Sequence, residues 1–441
     1  MLSRGSIMTE NRWTINEYVT YILLTLVFLA SWTDINGIFA ELPQIILTQP
    51  EGARLGAYLA LITNFGNIAP LILILIKCFN KKQTLNPIPI NYIVISIGMA
   101  SCFSLIFFWQ YTRMIFNQNY SIALLILAFF LSLLDCTSSI SFADYIQKFR
   151  AEFTSALFLG ESLTSIVPSL LAIAQGNGQL RCTSINGTNV TEAVYETARF
   201  SVSLYFLCLF LLLTISFISF VLLQWTSIPQ HAFQINRKIS LKPNEDNQET
   251  TSTLFQQKSP TSSESLSLNR TSYLLLSFGC TYTSSILFGM LLSISAYVLM
   301  PYGQEIFYLG TILSPWMFTL VWILGMIKPS VSKRSILLLI LMGTMTFLFE
   351  LFIALNSPCP MWVHTMKGNV LILSIWLCTY VLLGYPRLVI ANYVRNYSSS
   401  GMFWYGVNVQ CGALIGSIVA FLLIETFSLF REVIPCEPSK C

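Results

Sequence analysis

The sequence predicts an all-α integral membrane protein with eleven transmembrane helices. Of its 441 residues, 54% are hydrophobic and only 10% are charged, whereas a soluble domain carries about 25% charged residues. The chain also contains eleven apolar runs of about 20 residues, the length that crosses a bilayer as a helix. A helical bundle follows because a lipid-exposed backbone has to satisfy its own hydrogen bonds.

The predicted spans are distributed over the whole chain, and none shows the residue-by-residue alternation of a membrane β-strand. Most of the chain is therefore expected to contact the lipid bilayer. The net charge of only +4 argues against nucleic acid as a partner. The predicted spans are, approximately, 17–39, 54–77, 91–112, 120–143, 153–175, 200–224, 271–298, 304–326, 335–355, 368–388 and 402–425.

The distribution of basic residues predicts the orientation. With the N-terminus in the cytoplasm, most of the 24 Lys and Arg residues fall on the cytoplasmic side. An odd number of spans then places the C-terminus outside. The sequons at Asn186 and Asn189 fall in the loop after the fifth span, which this orientation makes extracellular. We therefore expect both asparagines to be glycosylated.

Four of the eleven cysteines lie in segments predicted to be extracellular, namely Cys182, Cys359, Cys436 and Cys441. Disulfides form in that compartment, and four cysteines permit three complete pairings. We favour Cys359 with Cys436, because this bond would clip the C-terminal tail to the loop between the ninth and tenth spans. No CxxC pair or histidine cluster is present, so neither a metal nor a cofactor is expected.

One long polar stretch divides the chain. Residues 225–270 are rich in Ser, Thr, Gln and Asn and too poor in apolar residues to fold, which predicts a disordered cytoplasmic linker. The linker separates a first transmembrane half of six spans (17–224) from a second half of five (271–425). A cytoplasmic N-terminus (1–16) and an extracellular tail (426–441) flank them. This layout is typical of two pseudo-symmetric helical halves.

Polar side chains inside the predicted spans are the candidates for function. A charged group at mid-bilayer costs roughly 2.5–3.5 kcal/mol, so such groups usually face the bundle interior or a water-filled path. The candidates are Asp34, Asn36, Glu41, Asn64, Asn67, Asp135, Thr137, Ser138, Glu161, Gln175, Glu350, Arg387, Asn408 and Gln410.

These side chains also have purely structural interpretations. Asn64, Asn67 and Ser138 can hydrogen-bond across helices and hold the bundle together. Asp135 can pair with a cation such as Arg387, which would neutralise both groups. The sequence leaves these alternatives open beside a role in binding a solute.

No motif of an enzyme is present. The chain has no HExxH, no Walker loop and only two histidines, neither of them in a predicted span. The remaining uncharged donors and acceptors, together with 14% aromatic residues, suit a flat and mostly uncharged polar solute. The residues therefore predict a membrane carrier that has no ATP site and is not an enzyme.

Several short motifs occur in the order of one transporter family. They include Glu41-Leu42-Pro43, Pro50-Glu51-Gly52 and Gly66-Asn67-Ile68, and residues 31–32, 36–37, 134–139, 158–163, 174–176, 357–360 and 406–416. On these motifs, nearly the whole chain resembles the animal riboflavin transporters, a group of eleven-span plasma-membrane carriers. The chain departs from the family pattern at Asp34, where we expect an aliphatic or small residue.

The resemblance implies uptake of riboflavin by alternating access, facilitated or secondary, through a monomer in the plasma membrane. It implies that Trp32 stacks on the isoalloxazine ring and that other polar residues bind its edge or the ribityl chain. These other residues are Asn36, Asn64, Asn67, Asp135, Thr137, Ser138, Gln175, Asn408 and Gln410. Candidates for gating or proton sensing are Glu41, Glu161 and Arg387. The alternatives are a carrier of nucleosides or another flat polar solute and, from another class, a receptor or scaffold.

Overall fold

The computed structural model describes residues 13–79, 86–176, 179–184, 191–196, 198–233, 269–327, 331–397 and 401–433. Helices account for most of these residues. The first set of helices, which precedes residues 234–268, consists of α1 (Ile15–Phe28), α2 (Thr33–Ile45), α3 (Leu55–Phe65), α4 (Ile68–Phe79), α5 (Pro87–Phe108), α6 (Ile122–Ile146), α7 (Thr154–Gln175) and α8 (Val202–Trp225).

The second set consists of α9 (Arg270–Ser284), α10 (Leu291–Leu299), α11 (Gln304–Ile327), α12 (Lys333–Leu355), α13 (Met366–Tyr397) and α14 (Gly401–Phe421). A π-helical turn, Ser285–Met290, joins α9 to α10, and a second one, Leu422–Thr426, extends α14. Two antiparallel hairpins lie between helices of the first set. They are formed by β1 (Arg113–Ile115) with β2 (Gln118–Tyr120) and by β3 (Gln179–Ser184) with β4 (Thr191–Glu196).

The predicted membrane-spanning character is confirmed. In the described part of the chain, ten helical stretches are long and apolar enough to cross a membrane, and the bent pair α1–α2 makes eleven. Six of these stretches precede residues 234–268 and five follow. The grouping into two pseudo-symmetric halves stays a prediction.

The first span differs from its prediction because it is broken in the middle. α1 and α2 meet at an angle of 52°, with a short 3₁₀ turn at Leu29–Ser31 between them. The hydroxyl of Ser31 donates to the carbonyl of Phe28 at 2.8 Å, and that of Thr33 donates to the carbonyl of Leu29. Side-chain hydroxyls thus satisfy carbonyls near the break, which allows a broken helix inside an apolar bundle.

The second span is interrupted at Gly66 and Asn67, between α3 and α4. Asn64 donates to the carbonyl of Ala60 at 2.8 Å, and Asn67 donates to the carbonyl of Asn64 at 3.0 Å. A Cβ atom on Gly66 would lie 2.2 Å from the hydroxyl oxygen of Ser132. Glycine therefore permits the close approach of α6 at this point.

The two sets of helices meet along two lines. α3 packs against α10 and α14, and α2 and α7 pack against α11. One large cluster of buried apolar side chains includes residues from both sets, among them Phe28 and Leu209 from the first and Leu291 and Trp376 from the second. The sets therefore share a core in this conformation.

The first part of the segment predicted as a disordered linker, residues 226–233, is folded. Ala232 is buried, and its carbonyl accepts a hydrogen bond from the backbone of Arg150 at 2.9 Å. The ring of Phe233 stacks on Phe149 with 4.7 Å between centroids. These apolar residues gain burial beside the end of α6, which a composition-based boundary does not reveal.

Some predicted features lie outside the described residues. They are residues 234–268 of the predicted linker, the sequons at Asn186 and Asn189, and Cys436. The corresponding proposals of disorder, glycosylation and a Cys359–Cys436 disulfide stay predictions.

Glycines set the contact between α14 and the π-helical turn Ser285–Met290. A Cβ atom on Gly416 would lie 2.0 Å from the carbonyl oxygen of Ser285, and one on Gly412 would lie 2.3 Å from that of Thr281. Gly289 on the opposite side would likewise bring a Cβ atom to 2.4 Å from the backbone of Gly416. Small residues spaced by four allow helix backbones in membranes to approach in this way.

We predict that Gly416→Ala destabilises the protein by about 1–3 kcal/mol, because the added methyl group overpacks a backbone contact. The measurement is the melting temperature of the detergent-solubilised full chain. Gly406→Ala is the matched control on the same helix, since a Cβ atom there meets nothing within 4 Å. Equal melting temperatures for the two variants would contradict the interpretation.

Candidate functional site

The break in the first span leaves one face of α2 partly open. Trp32, Asn36 and Phe39 are half-buried, whereas Ile35 and Ile38 between them are 6% and 1% exposed. The spacing of four and three residues places the half-buried side chains on one helical face. α6, α7, α8 and α11 pack against α2, and α7 contacts this face at Asn36. An aromatic ring and an amide therefore stand on a partly accessible surface inside the bundle, as a polar solute with a flat face requires.

Asn36 is only loosely held by protein groups. Its amide nitrogen lies 3.3 Å from the carbonyl oxygen of Thr164 and 3.4 Å from the hydroxyl of the same residue. Both distances are at the long end for hydrogen bonds. Thr164 in turn donates to the carbonyl of Glu161 at 2.7 Å. The Asn36 amide therefore keeps capacity to bind a ligand while it connects α2 to α7.

Glu41 and Gln175 form a buried pair at the far end of α2. Their exposed fractions are 1% each, and the Gln175 amide donates to the Glu41 carboxylate at 2.8 Å. The same amide nitrogen lies 3.1 Å from the carbonyl of Phe200. In this conformation Gln175 thus serves as the partner of a buried acid and joins α2, α7 and the segment before α8.

The predicted polar residues on α6 lie deeper than the open face of α2. Asp135, Thr137 and Ser138 are between 0% and 1% exposed. Ser138 donates to the carbonyl of Asp135 at 2.8 Å and to that of Ser31, at the break, at 3.3 Å. Through Ser138, α6 therefore stabilises the backbone at the break.

The structure does not pair Asp135 with Arg387. No donor to either Asp135 oxygen is found among the described residues, and the acid faces Asp34 instead. Sequence reasoning missed this pair because the two aspartates are far apart in the chain. The only signal was the departure at Asp34 from the family pattern.

Arg387 lies on an aromatic platform in the second set of helices. Its guanidinium carbon is 4.5 Å from the ring centre of Phe288 and 5.8 Å from that of Phe318. The two rings are stacked, with centroids 5.5 Å apart and planes at 18°. Cation–π contacts and stacked rings are favourable in apolar surroundings. Sequence reasoning missed Phe288 and Phe318, because a chain rich in phenylalanine gives no signal for two of them.

The remaining candidates fall into separate places. Asn408 on α14 accepts a hydrogen bond from Thr281 on α9 at 3.4 Å, and Gln410 is half-buried on the same helix. Asn64 and Asn67 lie at the break between α3 and α4. Glu161 is half-buried on α7. The structure thus brings together Trp32, Asn36 and the α6 residues around the first break, and holds Asn408 and Arg387 in the other set of helices.

Solved structures with the same fold are transporters. The chain aligns with a bacterial homologue of the human lysosomal transporter Spinster, in an inward-facing and unoccupied conformation, with a TM-score of 0.54 and 13% identity; the alignment covers 95% of this chain and 83% of the other. With the nucleoside transporter NupG the TM-score is 0.52 at 12% identity, covering 94% and 92%. The chain therefore shares the helical-bundle fold of these membrane transporters, and its first span is broken.

The particular family follows from sequence. Residues 16–432 match the family described as solute carrier family 52, riboflavin transporter, and the chain belongs to it. It is 32% identical to riboflavin transporter member 3-A of Danio rerio, over 92% of this chain and 95% of that protein. It is 26% identical to member 3 of Homo sapiens, over 95% and 98%. The expected family is thus confirmed, and the protein is a multi-pass membrane transporter, not an enzyme.

We predict that Gln175→Leu destabilises the protein by about 1–3 kcal/mol, because it leaves the buried Glu41 carboxylate without its donor. Glu41→Gln is the matched variant and should cost less, since two amides still form a hydrogen bond. The readout is the melting temperature of the purified full chain. If Glu41→Gln is as damaging as Gln175→Leu, the pair does not act as described.

Proposed function

We propose that this protein carries riboflavin into the cell across the plasma membrane by alternating access, without ATP hydrolysis. The observation that carries the proposal is the half-buried face of Trp32, Asn36 and Phe39 at a break in the first span of a chain from this family. The relatives from Danio rerio and Homo sapiens are named riboflavin transporters. Broken spans commonly form the midplane substrate sites of secondary transporters.

The proposed site combines stacking with amide hydrogen bonds. Trp32 stacks on the isoalloxazine ring, and Asn36 binds the polar edge of the ring or the ribityl chain. Asn64, Asn67, Asn408 and Gln410 supply further donors and acceptors from both sets of helices. The Phe288–Phe318 platform offers a second stacking surface. Four further residues are buried in this conformation and support the site from the protein interior. They are Asp135, Thr137, Ser138 and Gln175.

The test is uptake of labelled riboflavin by cells that express the full chain, with unlabelled riboflavin, lumiflavin and a nucleoside as competitors. Saturable uptake that the flavins block and the nucleoside does not would support the proposal. Saturable uptake of a labelled nucleoside that excess riboflavin does not block would favour the nucleoside carrier. Absence of saturable flux, with the protein shown at the cell surface, would favour a receptor or scaffold.

We further propose that the N-terminus is cytoplasmic, the C-terminus extracellular and the transporter monomeric. The orientation is supported by the distribution of Lys and Arg between the loops. Cys359 is absent from the free cysteines of the described residues, as the proposed disulfide with Cys436 requires. Loss of mass after peptide N-glycosidase treatment of the surface pool would place Asn186 and Asn189 outside.

We predict that Asn36→Ala raises the half-saturation concentration for riboflavin roughly two- to tenfold, because one ligand hydrogen bond is worth about 0.5–1.5 kcal/mol. Surface expression should be unchanged. Asn356→Ala is the matched control, since that amide is exposed at the end of α12 and donates only within its own helix. Unchanged uptake by Asn36→Ala would remove this residue from the site.

Alternating access is supported by where the two sets of helices are joined. We call the end of the bundle at which the turn Leu422–Thr426 stops its C-terminal end. Near it, Gln304 donates to the carbonyl of Pro43 at 2.7 Å and Tyr308 to that of Ala172 at 2.8 Å. At the opposite end, the described side-chain bonds, such as Lys148 to Asn86 and Lys333 to Ser272, stay within one set. We propose that this conformation is closed at the C-terminal end.

A cluster of charges, here called the Arg54 latch, also joins the sets at the C-terminal end. Arg54 lies 3.5 Å from Glu425 and 3.2 Å from Glu432. These side chains are between a quarter and two-fifths exposed, so each ion pair is worth about 0.2–1 kcal/mol. Gly52, with φ of +55°, makes room for Glu432, because a Cβ atom there would lie 2.8 Å from its carboxylate. The latch is therefore strong enough to bias the closed state and weak enough to open.

We predict that Arg54→Gln shifts the equilibrium roughly two- to tenfold toward opening at the C-terminal end, because two ion pairs are lost. The measurement is the rate at which an extracellular, membrane-impermeant thiol reagent labels Phe39→Cys. Arg431→Gln is the control, since Arg431 is exposed and takes part in none of the described ion pairs. Equal labelling rates with and without Arg54→Gln would show that the latch does not govern access.

A further inference from the structure

Two carboxyl groups face each other in the core, directly behind the open face of α2. Asp34 lies in the first turn of α2, just after the break, and Asp135 lies on α6. Both side chains are 0% exposed. α2 and α6 pack against each other, and the two carboxyl groups lie close enough to interact electrostatically. The pair is thus buried, and its member Asp34 is two residues along the chain from both Trp32 and Asn36.

The protein supplies too few donors for this pair. One oxygen of Asp34 accepts from the backbone N–H of Ile35 at 3.0 Å. The other oxygen of Asp34 and both oxygens of Asp135 are buried without a hydrogen-bond donor from the described residues. The ion pairs among the described residues are formed by Arg54 and Arg150, and their partners are glutamates rather than Asp34 or Asp135. Three acceptor atoms therefore lack a partner in an apolar environment.

The missing partner is a proton. Ionised carboxylates only accept hydrogen bonds, so two of them cannot bond to each other unless one is protonated. Two buried like charges without a cation are also strongly unfavourable, and such pairs share a proton instead. The contact between Asp34 and Asp135 therefore describes a pair that holds at least one proton.

The charge of the aspartate pair depends on how many protons the pair itself holds. The other ionisable groups that act on it electrostatically are the thiols of Cys102 on α5 and Cys136 on α6. α7, α8 and α11, which also pack against α2, carry Glu161, Tyr205 and Tyr308. None of these three is among the described interaction partners of either aspartate.

The position of the pair connects protonation to the broken span. Ser138, one turn after Asp135, donates to the carbonyl of Ser31 at the break. α6 is therefore joined to the break by the Asp34–Asp135 contact and by this hydrogen bond. Loss of the shared proton would place two negative charges in contact and push α2 away from α6. The face that carries Trp32 and Asn36 would then move.

We propose that Asp34 and Asp135 form a proton-binding pair that couples the movement of protons to the transport of the solute. The inference rests on the proposed function and adds the proton as a second transported species. A proton from the extracellular water binds a carboxylate oxygen of the pair and allows α2 to close against α6. The same proton leaves to the cytoplasmic water after the solute is released, so that one proton enters with each cycle.

The test measures riboflavin uptake by the full chain over a range of external pH at fixed internal pH. Uptake by the wild type should rise several-fold from alkaline to acidic external pH. Asp34→Asn and Asp135→Asn should flatten this profile, because an amide supplies the hydrogen bond without a titratable proton. The outcome that overturns the proposal is an unchanged pH profile in both variants.

Glu350→Gln is the matched control, because Glu350 is also fully buried but accepts a hydrogen bond from Thr379 at 2.7 Å. It should keep the pH response of the wild type. Flattening of the profile by Glu350→Gln or Glu161→Gln, with no effect of Asp34→Asn, would place the proton elsewhere and overturn the proposal.

A second measurement uses only the wild-type chain, so its result does not depend on whether a variant folds. In liposomes that contain the wild-type chain and a trapped pH dye, addition of external riboflavin should acidify the interior. Saturable riboflavin flux without acidification would overturn the proton pair and leave the proposed function intact. Absence of riboflavin flux at every pH would instead remove the proposed function itself.

Discussion

In the middle of the first span, the hydroxyls of Ser31 and Thr33 donate to the carbonyls of Phe28 and Leu29. These bonds let the chain bend by 52° without exposing backbone carbonyls to an apolar interior. Trp32 and Asn36 stand on the half-buried face of α2 that begins at this bend. The candidate site therefore depends on two hydroxyl groups that shape the backbone.

The buried polar groups around this break fall into two kinds. Glu41 and Glu350 each accept a hydrogen bond from a side chain on another helix, Gln175 and Thr379 respectively. Asp34 and Asp135 face each other with too few donors. A hydrogen bond between two helices holds them in register, whereas a buried acid with too few donors is retained at a cost in free energy. For this reason the aspartate pair is the one to which we assign a role in transport.

Different kinds of interaction join the two sets of helices at different places. Near α14 and the turn Ser285–Met290, glycines bring backbones together and allow no larger side chain. At the C-terminal end, partly exposed ion pairs and two hydrogen bonds to carbonyls join the sets. A transporter needs both kinds of contact, since the packed contact can act as a pivot while the polar contacts break and form again.

The sequence by itself determined the class of protein, the number and approximate limits of the spans and the family. Apolar runs of membrane length and the order of short motifs are local features that can be read along the chain. It also identified Asn36 and Asp135 as polar residues within spans. The break at residues 29–32 could not be read, because Ser and Thr are common inside membrane helices and do not by themselves bend them.

Only the tertiary structure decided which of the candidate side chains meet. Asp34 with Asp135, Arg387 with Phe288, and Arg54 with Glu432 join residues far apart in the chain, and each was missed or assigned differently from sequence. The physical reason is that a helix fixes only the face on which a side chain stands. Whether that face meets lipid, a cavity or an opposite charge depends on how whole helices pack, which is a property of the complete bundle.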